Sequence, residues 1–284
     1  MNRQDLQNIT HDKEHLKSNT PFDIMSWDLS HTTFDIKKMI NSHGFFYYPV
    51  NNMELINRML EAIKKYFALS LNIKMEQPHC SNGLGYIPMN RVRRGIKVSK
   101  ESYTYIPNKI RAIDEDIYKE YYTYTINVAK TIFSQIMDSL NIPLEKYNNI
   151  IEKSSATLSV LHYPKVEMND KIIGIPPHCD WGLITVLYTD NDGLEVSIND
   201  KWYNIPHKEG YFIVNIADMV EILTNGKYRS TLHRVINKEE KYSMALFYEP
   251  SIDTEIKPIE YNKYRSVKYG DYHGIKIESS YNKK

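Results

Sequence analysis

Several features that mark whole classes of protein are scarce in this sequence of 284 residues. It has two cysteines, Cys80 and Cys179, far apart and in no CxxC pair, which argues against a disulfide framework and suits a reducing compartment. No stretch approaches the roughly 20 apolar residues that span a bilayer. Residues 1–20 lack the apolar run of a signal peptide, so a soluble, cytoplasmic protein is expected. Neither sign of charge predominates: 36 Lys and Arg stand against 35 acids, for a net charge of +1. No global field invites nucleic acid or an acidic membrane, and neither is expected as a partner. Internal repeats and low-complexity segments are also missing. Phenylalanine is scarce, 8 residues against 23 tyrosines; a coding bias toward AT-rich codons explains that better than a tyrosine-based function.

What is present suffices for one full core. Residues 1–20 carry no periodicity and read as a loose arm. Residues 22–153 read as a mixed helix and strand layer. Phe22 to Leu29 alternates as a first strand, and Phe34, Ile36, Met39 and Ile40 suggest a short helix ended by His43-Gly44. Phe45 to Val50 is β-branched and aromatic, as a buried strand would be. Leu55, Met59, Ile63 and Phe67 predict a helix over 53–69. The longest helix is expected over 114–141, with Asp114, Glu115 and Asp116 at its positive end and Ile117, Tyr121, Val128, Ile132, Ile136 and Leu140 along one face. Pro143 opens a shorter one.

Between them, residues 77–108 are punctuated by Pro78, Gly83, Gly85, Pro88, Gly95 and Pro107 and read as irregular. They carry Arg91, Arg93 and Arg94. A charge cluster in a loop is usually a solvated face. The competing reading has one arginine reach over the mouth of a site to hold an anionic substrate, with Tyr103 as a second lining residue.

After Ser154 the texture changes to short strands: 156–163, 172–175, 183–188, 194–198, 202–205, 211–216, 232–236 and 243–248. Turn residues separate them, notably Asp190 to Gly193, Asn199-Asp200 and Asn225-Gly226-Lys227. That spacing predicts a mostly β protein with flanking helices, in which residues 154–250 form a jelly-roll, cupin-like core. Residues 251–284 follow as a C-terminal segment of the same single domain.

Within this core lies Pro176-Pro177-His178-Cys179-Asp180-Trp181-Gly182. Strand alternation puts His178 and Asp180 on one face and Cys179 on the other. His233, in the later run 232–236, supplies a third ligand. Two imidazoles and a carboxylate on one side of an iron leave the other side open to substrate and oxygen. The pattern therefore points to a non-haem Fe(II) oxygenase. With ten histidines in the chain, a His/Asp pair at a spacing of two is weak by itself. The preceding prolines, the jelly-roll context and His233 strengthen it.

The segments 176–186 (PPHCDWGLITV), 210–219 (GYFIVNIADM) and 224–235 (TNGKYRSTLHRV), with Phe45-Phe46 after His43-Gly44, resemble the isopenicillin N synthase-like branch of the Fe(II)/2-oxoglutarate-dependent dioxygenases. The likeness runs from about Phe22 to Pro250. It implies a double-stranded β-helix with an N-terminal mixed α/β layer, His178, Asp180 and His233 as ligands of Fe(II), and 2-oxoglutarate and O2 as co-substrates. A small-molecule substrate would be hydroxylated, desaturated or cyclised, with release of succinate and CO2. In that family an Arg-x-Ser pair and a tyrosine hold the far carboxylate of 2-oxoglutarate; Ser243 and Tyr163 match, but the arginine is Lys241. Arginine grips a carboxylate with two parallel donors, whereas lysine offers a point charge on a flexible stem. Leu161 and Cys179 depart from the usual Asn and Thr or Ser. Two other readings stay open: an isopenicillin N synthase-type oxidase that uses no 2-oxoglutarate, and a non-catalytic metal-binding jelly-roll sensor. A zinc hydrolase on the same ligands is poorer, for want of a general-base Glu at a recognisable spacing.

Overall fold

The computed structural model describes residues 43–80, 83–93, 96–167, 172–260 and 263–281. The strand expected over 22–29 and the helix over 34–40 lie outside these residues. The described chain begins at β1 (Phe45–Pro49) and helix α1 (Met53–Phe67). Asn52 caps this helix, its Oδ1 accepting from the Leu55 amide at 3.0 Å, so one of the orphan N–H groups of the first turn is satisfied. A short helix α2 (Leu71–Lys74) leads to β2 (Gly85–Ile87), β3 (Arg91–Arg93), β4 (Ile96–Val98) and β5 (Glu101–Tyr105). The expectation of an irregular 77–108 is thus corrected. The glycines and prolines break the segment into three- to five-residue pieces, which pair with one another (β2 with β5, β3 with β4) and, through β4 and β5, with the later strands Ile172–Ile173 and Ser155–Tyr163.

The long helix α3 (Glu115–Ser139) and the short α4 (Asn148–Glu152) complete the first half. In α3 the buried stripe runs through Ile117, Tyr121, Thr125, Ala129, Ile132 and Ile136, close to the expected face. From residue 155 strands dominate: β6 (Ser155–Tyr163), β7 (Ile172–Ile173), β8 (Ile175–His178), β9 (Ile184–Thr189), β10 (Leu194–Ile198), β11 (Lys201–Ile205) and β12 (Tyr211–Ile216). Helix α5 (Asp218–Leu223) intervenes before β13 (His233–Val235) and β14 (Lys241–Glu249), and the chain ends with β15 (Glu255–Ile256), β16 (Val267–Lys268) and α6 (Tyr269–Tyr281).

Two antiparallel sheets face each other. The larger has the order β1-β12-β9-β14-β6-β5-β2, the smaller β11-β10-β13-β8. The architecture is mostly β with flanking helices, a double-stranded β-helix. The large sheet recruits β1, β2 and β5 from the N-terminal half, so the barrel extends beyond residues 154–250.

Strand pleating divides the buried residues into two cores. The outer face of the large sheet, with Leu158, Val160, Val186, Met244 and Leu246, packs against α1 and α3 in the main core. The inner face, with Phe45, Tyr47, Leu161, Tyr163, Ile213 and Ala245, meets Leu194, Val196 and Val235 of the small sheet. The candidate site lies against this second, smaller core. Among the described residues no helix is long and apolar enough to cross a membrane.

Candidate active site

His178 ends β8 and His233 opens β13, and the two are direct register partners across the small sheet. Directly opposed side chains share a face, which explains how histidines so far apart in sequence meet. Asp180 follows in the turn after β8. That turn is fixed by backbone bonds from the Asp218 amide to the Asp180 carbonyl (3.0 Å) and from the Met219 amide to the Gly182 carbonyl (2.9 Å). Asp180 Oδ1 lies 3.6 Å from His178 Nε2 and 3.7 Å from His233 Nε2. One ligand atom from each of the three lies within 4.8 Å of the others. This is the spacing of a single-ion site with bonds of roughly 2.0–2.2 Å.

The hydrogen bonds around the triad fix its donor atoms. His178 Nδ1 lies 2.9 Å from the Pro176 carbonyl, and His233 Nδ1 lies 3.0 Å from that of Thr231. A carbonyl only accepts, so each Nδ1 carries the proton and each Nε2 keeps its lone pair for a metal. Phe45 packs its ring edge-on against His233, with centroids 5.6 Å apart. Asp180 Oδ2 accepts from Thr185 Oγ1 (2.5 Å) and Asn215 Nδ2 (2.9 Å), leaving Oδ1 free to face the histidines. Burial alone would raise the Asp180 pKa. The positive potential of His233 and His178, with the Thr185 and Asn215 hydrogen bonds, outweighs it and holds the carboxyl below the usual range. Thr185 and Asn215 escaped the sequence reading; their only trace there is inward strand parity, shared with many other residues.

The site is accessible from one side. The His178 side chain keeps 33% of its surface exposed, Asp180 and His233 only 7% each. Cys179 faces the other way, its Sγ buried 3.8 Å from the Ser230 carbonyl.

Deeper along the inner face lie Lys241, Ser243 and Tyr163. Lys241 pairs with Tyr163 across β14 and β6, and Ser243 pairs with Thr189 of β9. Ser243 Oγ donates to Thr189 Oγ1 at 3.2 Å. Lys241 is 2% exposed, and its Nζ lies 4.8 Å from the Tyr163 ring centroid. Among the described residues nothing accepts a hydrogen bond from that ammonium. Asp190 and Asp192 attract it from a distance, but their carboxylates are engaged by Lys64 and by the His207 amide. Burial consequently pushes the Lys241 pKa down to about 8, against the pull of those two aspartates. Gly193 makes room for it: φ is +121°, and a Cβ there would lie 2.8 Å from Nζ and 2.3 Å from the Ile236 carbonyl oxygen. A buried cation without a counter-ion, in a polar patch of the barrel interior, fits an anionic ligand.

The remaining candidates lie elsewhere. Tyr103 pairs with Val160 of β6, on the outer face. It is buried in the helix-side core, its hydroxyl donating to Gln77 Oε1 and, at 2.9 Å, to the Arg111 carbonyl. The expectation that it lines the mouth is corrected. Arg91 is exposed on β3, Arg93 ends that strand, and Arg94 lies outside the described residues. Their strand joins β4 and β7 in a small sheet whose last strand runs through Gly174 into β8.

The 2OG-Fe(II) oxygenase superfamily model matches residues 154–250. Kihadalactone A synthase LFS of Citrus sinensis is 30% identical over 295 residues, covering 88% of this chain and 88% of that protein. The chain belongs to the 2OG-Fe(II) oxygenase superfamily. Among solved structures, a full-length Neurospora crassa protein in complex with alpha-KG and thymine superposes with a TM-score of 0.77 at 20% identity, covering 87% of this chain and 90% of that one. JOX2 in complex with 2OG, Fe and JA gives 0.75 at 24% identity, covering 87% and 85%. These two likenesses carry the fold. As a member of its superfamily the protein is an Fe(II)- and 2-oxoglutarate-dependent dioxygenase, an oxidoreductase. The oxidase and sensor readings gain no support from these relatives.

Proposed function

We propose that His178, Asp180 and His233 ligate the Fe(II), and that Lys241, Ser243 and Tyr163 hold the far carboxylate of 2-oxoglutarate. The observation that carries the second assignment is the buried, unpaired Lys241 ammonium on the same interior surface as the triad. Bound there, iron would supply the oxidising chemistry: O2 would be consumed in the oxidative decarboxylation of 2-oxoglutarate to succinate and CO2, and the oxidising equivalent left over would be used on a substrate C–H bond.

The protein's own residues do the positioning. The Pro176 and Thr231 carbonyls set the imidazole tautomers, and Thr185 with Asn215 turns Asp180 so that one oxygen faces the ion. Lys241 neutralises the co-substrate's distal charge, Ser243 offers a hydroxyl beside it, and the Tyr163 ring holds the ammonium from below. The apolar wall of Leu161, Val196, Ile213 and Ala245 keeps water from the reacting centre. The substrate is a small organic molecule, admitted on the His178 side, with Arg91 and Arg93 as candidates for the rim. The three motif segments support the isopenicillin N synthase-like branch, and two cysteines that form no disulfide suit a reducing cytoplasm.

Succinate release tests this reading. Purified protein given Fe(II), 2-oxoglutarate, ascorbate and O2 should form succinate at a slow, substrate-independent rate. Oxygen uptake without succinate would favour the oxidase reading, in which the interior ammonium has no ligand to meet.

A further inference from the structure

The inner face of β14 runs Lys241, Ser243, Ala245, Phe247, Glu249. Phe247 pairs with Thr185, the residue that donates to Asp180. The triad is therefore level with Phe247, one same-face step from Glu249, with the Lys241 cation at the far end of the row and the Glu249 carboxyl at the near one. Glu249 approaches the triad turn closely: a Cβ on Gly182 would lie 2.9 Å from its Cγ. Glu249 and Phe247 face the interior yet stay partly exposed, as do Thr157 and Leu187 on the same surface. Inward-facing side chains that still meet solvent mark a part of the inner face that a ligand can reach.

We propose that Glu249 is the residue that selects the substrate, accepting a hydrogen bond from an O–H or N–H donor on a molecule with an apolar or aromatic body. This rests on the reading of the triad and Lys241 as the iron and co-substrate end; the substrate then fills the opposite end of the row. Each Glu249 oxygen meets one weakly demanding partner. Tyr269, on the C-terminal helix, donates to Oε1 at 2.9 Å, and Thr157 Oγ1 lies 3.5 Å from Oε2. A carboxyl has about four lone-pair positions, so acceptor capacity remains. Burial, reinforced by the nearby Asp180 charge and opposed by those two bonds, lifts the Glu249 pKa to about 7. A carboxylate substrate would meet like charge at this end. Half-buried Phe247, one step along the same face, offers flat apolar surface beside it.

Protein loaded with Zn(II) and 2-oxoglutarate, an inert stand-in, is titrated with phenethylamine, phenethyl alcohol and phenylacetate and followed by saturation-transfer NMR. These probes share a body and differ in the end group. The wild type is expected to bind the amine and the alcohol and to bind phenylacetate at least about tenfold more weakly. Glu249→Gln keeps an acceptor but loses the charge; it should weaken the amine about tenfold and leave the alcohol within about twofold. Glu249→Leu should lose both. The proposal is overturned if phenylacetate binds the wild type as well as the amine, if no donor probe binds, or if both variants bind all three probes as the wild type does. Calorimetry of Zn(II) and 2-oxoglutarate loading is run alongside. Failure to load would sink the metal-site reading, and probe binding to the metal-free variants would still report on Glu249.

Discussion

Lys241 and Tyr163 face each other as register partners on β14 and β6, the ammonium 4.8 Å from the ring centroid. An aromatic face attracts a cation without neutralising it, so the lysine is held in place while its hydrogen-bonding capacity stays unspent. Lys241→Ala should raise the KM for 2-oxoglutarate about ten- to a hundredfold, the worth of a hydrogen bond to a charged group. Iron affinity should stay within about twofold, because Lys241 touches none of the triad. Steady-state succinate formation and an anaerobic Fe(II) titration measure the two; an unmoved KM removes Lys241 from the site.

The same lysine sets a pH dependence. Its pKa in the free protein lies near 8, below the ordinary lysine value, because burial disfavours the charged form. Only the ammonium attracts the co-substrate. Thus kcat/KM for 2-oxoglutarate should hold up to about pH 8 and fall above it. In Lys241→Arg the guanidinium stays charged throughout this range, so the fall should vanish even where the larger side chain lowers the rate. An identical decline in the arginine variant assigns the titration to another group.

Thr185 and Asn215 orient Asp180 and stabilise its charge. Thr185→Ala and Asn215→Ala should each weaken iron binding about 10- to 100-fold, the usual effect of losing a partner that orients a metal ligand. Urea unfolding of the metal-free variants, run beside the Fe(II) titration, separates this from a loss of fold. Wild-type iron affinity in both variants would mean that Asp180 needs no orienting.

Stability is expected to depend on a buried cluster outside the barrel. Glu101 takes hydrogen bonds from Lys74 (2.7 Å) and Tyr86 (2.5 Å), and its other oxygen lies 2.9 Å from His162 Nδ1. Burial alone would raise the Glu101 pKa; His162, Lys74 and Tyr86 together lower it. Its contribution is therefore present above the unfolded carboxylate pKa and lost as pH falls through the lowered folded value. Glu101→Ala strands the Lys74 ammonium, 8% exposed, leaving it the Phe67 carbonyl as acceptor. A loss of about 3–5 kcal/mol is expected from chemical denaturation. A change under about 1 kcal/mol would show that the cluster relaxes into water.

Strands β6, β7 and β9 to β14 were legible because their inner and outer residues alternate between turn signals, and the triad was legible from the His178-x-Asp180 spacing with His233 on a later strand, although Asp180 itself sits in the turn past β8. Tyr103 was misjudged for a physical reason. All five residues of β5 are buried, since one face meets the barrel interior and the other the helices. Parity cannot tell two buried faces apart. The strands of 85–105 were hidden by their shortness, three to five residues each, and for β4 and β5 by partners far along the chain. The C-terminal helix carries Gly270 and Gly274 and no clean apolar stripe; it is held instead by Tyr272 and Lys276, which reach Asp218 at 2.6 and 3.0 Å. Glu249 was invisible as a site residue, since its meaning lies in standing at the far end of the row that begins with Lys241.

The most direct test of the central claim is an anaerobic titration of Fe(II) into metal-free protein with 2-oxoglutarate present, followed by the metal-to-ligand charge-transfer absorption. The wild type should develop the band at one equivalent of iron, and Asp180→Ala should neither bind iron tightly nor show it. Undiminished iron affinity in Asp180→Ala, with the band intact, would contradict the assignment of His178, Asp180 and His233 as the metal centre.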